Sequence, residues 1–96
     1  MAAFEFTEEM TKDIPPICGQ EGKGLRGTIA YLKVEALNGW RWLITEYDQN
    51  DLFFGYVLGF ENEWGYISLT ELEEIMEKGH GWIDTDFEPV PLIDAI

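Results

Sequence analysis

The stretch that decides the fold runs from Thr28 to Phe60 and reads TIAYLKVEALNGWRWLITEYDQNDLFFGYVLGF. Thr28 to Ala36 is rich in β-branched and aromatic residues, which predicts a strand. Asn38-Gly39 is a strong turn signal. Trp40 to Asp48 predicts a second strand, with Trp40, Trp42 and Ile44 on one face and Arg41, Leu43, Thr45 and Tyr47 on the other. Asp48 to Asp51 is a polar turn. Leu52 to Phe60 predicts a third strand, apolar on both faces and therefore central. Gly55 and Gly59 within it point to a bulge or to close packing against a large neighbour such as Trp40 or Trp42. Two turns joining three strands make an antiparallel meander.

The flanks complete the domain. Thr7 is placed to cap a short helix from Glu8 to about Asp13, with Glu8 and Glu9 in its first turn. Pro15 and Pro16 end it, and the proline after Ile14 biases that residue toward extended backbone. Gly19, Gly22, Gly24 and Gly27 predict a flexible loop over 17–27. Its G-x-x-G-x-G pattern lacks the G-K-[ST] ending of a phosphate loop. Beyond the meander, Glu61 to Gly65 reads as a turn and Gly65 to Ile67 as a short strand. Ser68-Leu-Thr-Glu71 is a capping box. It opens a helix to about Lys78, ended by Gly79. Leu69, Leu72, Ile75 and Met76 form its inner stripe, with Glu71, Glu74, Glu77 and Lys78 outward and Glu73 on the flank. Trp82 to Glu88 predicts a short edge strand before Pro89 and Pro91. The expected fold is a single α+β domain over residues 1–96. A small antiparallel meander of about four to five strands carries one main amphipathic helix on one face, and a short N-terminal helix precedes it.

Charge narrows the function classes. The chain has 96 residues, with 19 Asp and Glu against 6 Lys and Arg, for a net charge of -13. That opposes direct binding to nucleic acid or to an anionic membrane. With 46% hydrophobic and 15% aromatic residues, the chain is no disordered acidic tail. The charge is uneven. Residues 1–41 hold six acids and five bases, a net of -1, while residues 42–96 hold thirteen acids and Lys78 alone, a net of -12. No apolar run approaches the roughly 20 residues of a membrane span, and no basic region precedes an apolar one at the N-terminus. The single cysteine, Cys18, suits a reducing cytoplasm.

Candidate chemistry is thin. Cys18 lies 62 positions from the one histidine, His80, so no base is at hand for a nucleophile. His80 sits just past the capped helix, where a cation interacts favourably with the helix C-terminus. Glu46, Asp48 and Asp51 surround the second turn with hard oxygens suited to magnesium or calcium but fail the EF-hand spacing; Asp48 and Asp51 read as turn formers and Glu46 as part of a solvated strand end. Asp84, Asp86 and Glu88 alternate and would line one side of an edge strand, where charge blocks unwanted pairing. Trp40, Trp42, Phe53, Phe54, Tyr56 and Phe60 are expected in the core. Trp64 and Trp82, beside glycines in expected loops, are candidate contact residues, and Trp64 among acids has the character of an interface anchor.

The ordered motifs resemble one family. Ile14-Pro-Pro-Ile17 is followed by Trp40-x-Trp42 and Thr45-Glu46-Tyr47-Asp48. Then come Asp51-Leu-Phe-Phe-Gly55-x-Val57-x-Gly59 and Glu63-x-Gly65-Tyr66-x-Ser68-Leu69-x-Glu71-Leu72-Glu73, and Asp86-Phe87-x-Pro89-x-Pro91-Leu92 closes the series. Together they resemble the plasmid- and phage-borne proteins catalogued as domain of unknown function family 2958. That resemblance implies a mobile genetic element, a bacterial cytoplasm and genes that counter host defence. It carries no catalytic residues to transfer. With the charge map, it gives the expected role: a non-enzymatic interaction protein, without cofactor, that binds a basic surface of a host protein. One specific form is a nucleic-acid mimic that inhibits a defence nuclease or nucleoprotein, of anti-CRISPR or anti-restriction type. The expected contact residues are Glu61, Glu63, Trp64, Glu71, Glu74 and Glu77. The alternative is a small metal-dependent enzyme or ion-binding protein using Asp48, Asp51, Asp84 and Asp86.

Overall fold

The computed structural model describes residues 2–96. In chain order the elements are β1 (Ala2–Ala3), α1 (Glu8–Thr11), α2 (Gly24–Gly27), β2 (Ile29–Ala30), β3 (Leu32–Ala36), β4 (Arg41–Tyr47), β5 (Leu52–Leu58), β6 (Asn62–Ser68), α3 (Leu69–Glu77), β7 (Gly81–Asp84), β8 (Val90–Pro91) and α4 (Leu92–Ala95). The main sheet is antiparallel in the order β1-β7-β3-β4-β5-β6, and β2 pairs with β8 in a separate two-stranded sheet. The fold is therefore α+β around the expected meander, with six strands in place of four to five.

The meander forms where its turn chemistry places it. Gly39 takes φ +91, Trp40 N–H donates to Asn38 Oδ1 at 3.1 Å, and β3 returns as β4. At the next turn Asp48 Oδ1 accepts from the backbone N–H groups of Asn50, Asp51 and Leu52 at 2.8, 3.1 and 3.0 Å. Gly55 lies beside a register shift between Ile44 and Glu46, and a Cβ there would stand 2.0 Å from the Leu43 carbonyl oxygen. A Cβ on Gly59 would stand 2.7 Å from the Trp40 ring. Both glycines thus serve the close approaches read from the sequence.

Two irregularities redirect side chains. The predicted strand from Thr28 to Ala36 breaks at Tyr31, whose N–H donates to Ile44 O at 2.8 Å. Ala30 therefore joins one apolar cluster and Leu32 the other. The bulge at Thr45 acts likewise in β4. Tyr47, expected beside Leu43, instead packs on Phe53 with the rings 4.5 Å apart. One extra residue in a strand exchanges the faces of everything after it.

The two faces of the sheet bury different clusters. On one, Leu32, Val34, Ile44, Tyr47, Phe53, Ile67 and Ile83 pack under Leu72 and Met76 of α3. On the other, Leu43 and Leu58 pack with Ala30 and with Leu92 of α4. Helix α3 starts and stops as predicted. Ser68 Oγ accepts from Glu71 N–H at 3.2 Å, and Gly79 adopts φ +78 past the Lys78 cap. No helix among the described residues is long and apolar enough to cross a membrane.

The C-terminal region departs from expectation. β7 is not an edge strand: it lies between β3 and β1. It also stops at Asp84, where Asp84 Oδ1 accepts from Asp86 N–H at 3.0 Å and turns the chain. Asp84, Asp86 and Glu88 therefore form no carboxylate row on one strand. Trp82, a candidate contact residue where the predicted strand starts, is half-buried in β7, and its Nε1–H donates to Glu35 Oε2 at 2.9 Å.

Candidate interaction surfaces

Helix α3 presents the first surface. Leu72 and Met76 are buried, and Leu69 and Ile75 pack beside them, so the helix is fixed by its apolar side. Glu71, Glu74 and Glu77 point outward and are exposed. Residues three apart lie on one helix face, roughly 5–6 Å between Cβ atoms. Among the described residues, no ion pair engages these three carboxylates. Glu73, on the flank, is engaged: its Oε2 accepts from Phe6 N–H at 2.9 Å and ties the N-terminal segment to α3.

The remaining expected contact residues do not all join this face. β6 is a full seven-residue strand, not a short one preceded by a loop. Glu61 lies in the turn before it. Alternation then places Glu63 on the α3 side of the sheet and Trp64 on the opposite side. Trp64 stacks on Phe54, with ring centroids 6.0 Å apart and planes within 7°. An anchor at Trp64 and a glutamate face on α3 are thus two surfaces.

Trp64 belongs to a cleft of about 430 Å³ on the face away from α3. Phe54, Trp64 and Tyr66 form its aromatic wall, and Trp64 and Tyr66 are 40% and 63% exposed. The facing wall is the glycine-rich segment, with Cys18, Gln20, Glu21, Gly22 and Gly24. Expected to be flexible, this segment is tied to β4. Glu46, 4% exposed, accepts Cys18 N–H on Oε1 at 2.8 Å and Gln20 N–H on Oε2 at 2.9 Å. Buried Gln20 in turn donates through Nε2 to Thr45 O at 2.8 Å and Ile29 O at 2.9 Å, and accepts Ile29 N–H at 2.7 Å. This network holds Cys18 at φ +70, a conformation that glycine or asparagine adopts more readily. The cleft went unseen in the sequence, where Phe54 and Tyr56 read as core residues. The available signal was the alternation Trp64-Gly65-Tyr66, a half-exposed strand pattern.

The carboxylates of the metal alternative have other work. Asp48 caps its own turn. Asp51 Oδ1 accepts from Thr70 N–H at 2.9 Å and from the Thr70 hydroxyl, while Oδ2 accepts from the Ser68 hydroxyl at 2.9 Å. Asp51 thereby adds a second N-terminal cap to α3 beside that of Ser68, on an amide, Thr70 N–H, that the capping box does not use. The Thr70 hydroxyl first, then its amide and the Ser68 hydroxyl, hold the Asp51 carboxyl below its ordinary range. Asp84 Oδ2 pairs with Lys33 Nζ at 3.5 Å. Among the described residues, no three of His, Cys, Asp and Glu come together to hold a metal ion.

Cys18 and His80 sit at opposite ends of the sheet. Cys18 is joined to Glu46 near the end of β4, whereas His80 lines a hollow with Trp40 and Trp42 at its start. Phe60, expected in the core, is 95% exposed and meets Trp40 edge-on at 5.5 Å. The tight turn after Gly59 carries its side chain off the end of the sheet. No family model, curated protein or solved structure matches the chain.

Proposed function

We propose that this protein is a non-enzymatic acidic interaction protein that sets the outer face of α3 against a basic surface of a host protein. The observation that carries the reading is the exposed row Glu71, Glu74 and Glu77, unpaired among the described residues, on a helix whose other side is anchored in the core. Internal ion pairs would have spent these charges. Left free, they attract a cationic partner and repel one another. A net charge of -13 also exceeds the magnitude of about 2–8 that serves solubility in a small domain. Regularly spaced carboxylates on a rigid helix form an anionic row comparable to the phosphates of one nucleic-acid strand, which supports mimicry of nucleic acid. The family resemblance adds the setting: a mobile genetic element whose product inhibits a defence nuclease or nucleoprotein in the bacterial cytoplasm.

Association driven by such a face is steered electrostatically and weakens with salt. In capture from host lysate at low and high salt, the wild-type protein is expected to retain basic, nucleic-acid-binding proteins at low salt only. The Glu71→Gln/Glu74→Gln/Glu77→Gln variant keeps the helix, and is expected to lose about tenfold or more of that retention. Undiminished capture by the triple variant would remove α3 as the docking face.

A further inference from the structure

We infer that the free edge of β6, together with the aromatic cleft beside it, is a strand-addition site for an extended basic segment of a partner protein. β6 ends the main sheet, and among the described residues no strand covers its outer side. Its seven residues, Asn62–Ser68, pair with β5 in continuous register. Edge strands usually carry a lysine, a proline or a bulge that discourages pairing. β6 has none of these, and its one charge, Glu63, points to the α3 side.

The direction of the free backbone groups follows from the two ends of the ladder. Leu69 N–H donates to Asp51 O at 2.8 Å and Gly59 N–H to Glu61 O at 3.2 Å. In an antiparallel pair the bonded residues alternate. The odd-numbered residues of β6 therefore bond to β5, and Asn62, Trp64 and Tyr66 turn their N–H and C=O groups to the open edge. The same alternation places the Trp64 and Tyr66 rings on the cleft face. A strand laid against β6 would thus bond to the residues whose rings it passes, and its directly opposed side chains would enter the cleft side.

Charge selects the occupant. The cleft is lined by Glu21, Glu46 and three aromatic rings, with no lysine or arginine among its lining residues. An arginine or lysine opposite Trp64 or Tyr66 meets aromatic rings at cation–π range, with the exposed Glu21 on the facing wall. A second copy of this chain is disfavoured by its own net charge of -13. The site lies on the other face from the outer α3 glutamates, so its test stands apart from theirs.

The probe is a blocked hexapeptide alternating arginine and valine, added to the full chain and followed by amide hydrogen exchange and tryptophan fluorescence. Exchange at Trp64 and Tyr66 is expected to slow while α3 amides are unaffected, and Trp64→Ala is expected to weaken binding about tenfold. Arginines on the cleft side are the residues whose N–H groups face β6. N-methylation of the arginines is therefore expected to abolish binding, and N-methylation of the valines to preserve it, a contrast read on the unaltered protein. Equal binding of the two methylated peptides overturns the proposal. So does equal binding of a glutamate–valine twin, or protection confined to α3. Protection of Trp64 and Tyr66 that rises with protein concentration in the absence of peptide would assign the edge to a second copy and overturn it too.

Discussion

The two faces of the sheet are closed by different forces. On the α3 face a nine-residue helix buries Leu72 and Met76 over Phe53, and apolar contact alone joins helix to sheet at its centre. On the opposite face the cover is short: two-residue strands β2 and β8, the single turns α2 and α4, and the segment carrying Cys18 and Gln20. Ala30 of β2 and Leu92 of α4 are buried against Leu43 and Leu58, but among the described residues no such cluster holds the segment carrying Cys18 and Gln20. That segment is positioned by Glu46 and Gln20, two buried polar side chains whose bonds are directional. The α3 face is therefore a packed core, while the opposite face sets a smaller apolar cluster around Leu43 and Leu92 beside a tethered rim and an open cleft. A binding surface gains from the second arrangement, because polar tethers fix a loop without filling the space beside it.

That contrast can be broken from either side. Phe53→Ala removes the ring that Phe6 and Tyr47 pack against at 5.0 and 4.5 Å. A loss of about 3–5 kcal/mol is expected in urea unfolding, with the whole domain destabilised. Glu46→Ala leaves the Cys18 and Gln20 N–H groups without their acceptor. It is expected to cost less, about 2–3 kcal/mol, and to act locally. Amide exchange at Cys18 and Gln20 should accelerate well before the α3 face responds, and Glu46→Gln, which keeps one acceptor oxygen, should recover part of the loss. A uniform acceleration across both faces would show that the rim is not an independent tethered unit.

The same contrast explains what could be read from the residues alone. Features set by a few neighbouring positions were legible: the Asn38-Gly39 turn, the Asp48 turn, the Ser68 cap, the Gly79 stop and the inner stripe of α3. The close approaches at Gly55 and Gly59 were also legible, because a glycine inside an apolar strand has few other uses. Features set across long sequence separations were not. The break at Tyr31 and the bulge at Thr45 each reverse a face, and neither carries a local signal in a β-branched stretch. Glu46 reads as an ordinary strand glutamate until the loop 26 positions away is folded over it. For the candidate site, the α3 glutamates were legible from helical periodicity. Trp64 was misplaced because β6 starts at Asn62, three residues earlier than its turn-like sequence indicates.

The smallest effect sharpens the comparison at the junction of α3 with the sheet, where a carboxylate does the capping. Asp51 accepts three hydrogen bonds from Thr70 and Ser68, and these hold its carboxyl below the ordinary value of about 3.9. A depressed carboxyl contributes stability that is fully present above the unfolded value and lost as pH falls through the folded one. The test is urea unfolding of wild type and Asp51→Asn between about pH 2 and about pH 6. Asparagine keeps an oxygen for Thr70 but cannot accept from the Ser68 hydroxyl through its amide nitrogen. The stability gap between the two proteins is expected to be smallest at the acid end, to widen as pH rises toward about 4–5 and to stay level above that. A gap independent of pH would mean that the charge of Asp51 contributes nothing and that an uncharged acceptor there serves the helix start equally well. A gap that follows the carboxylate would show that the apolar face, too, depends on one polar tether at its edge.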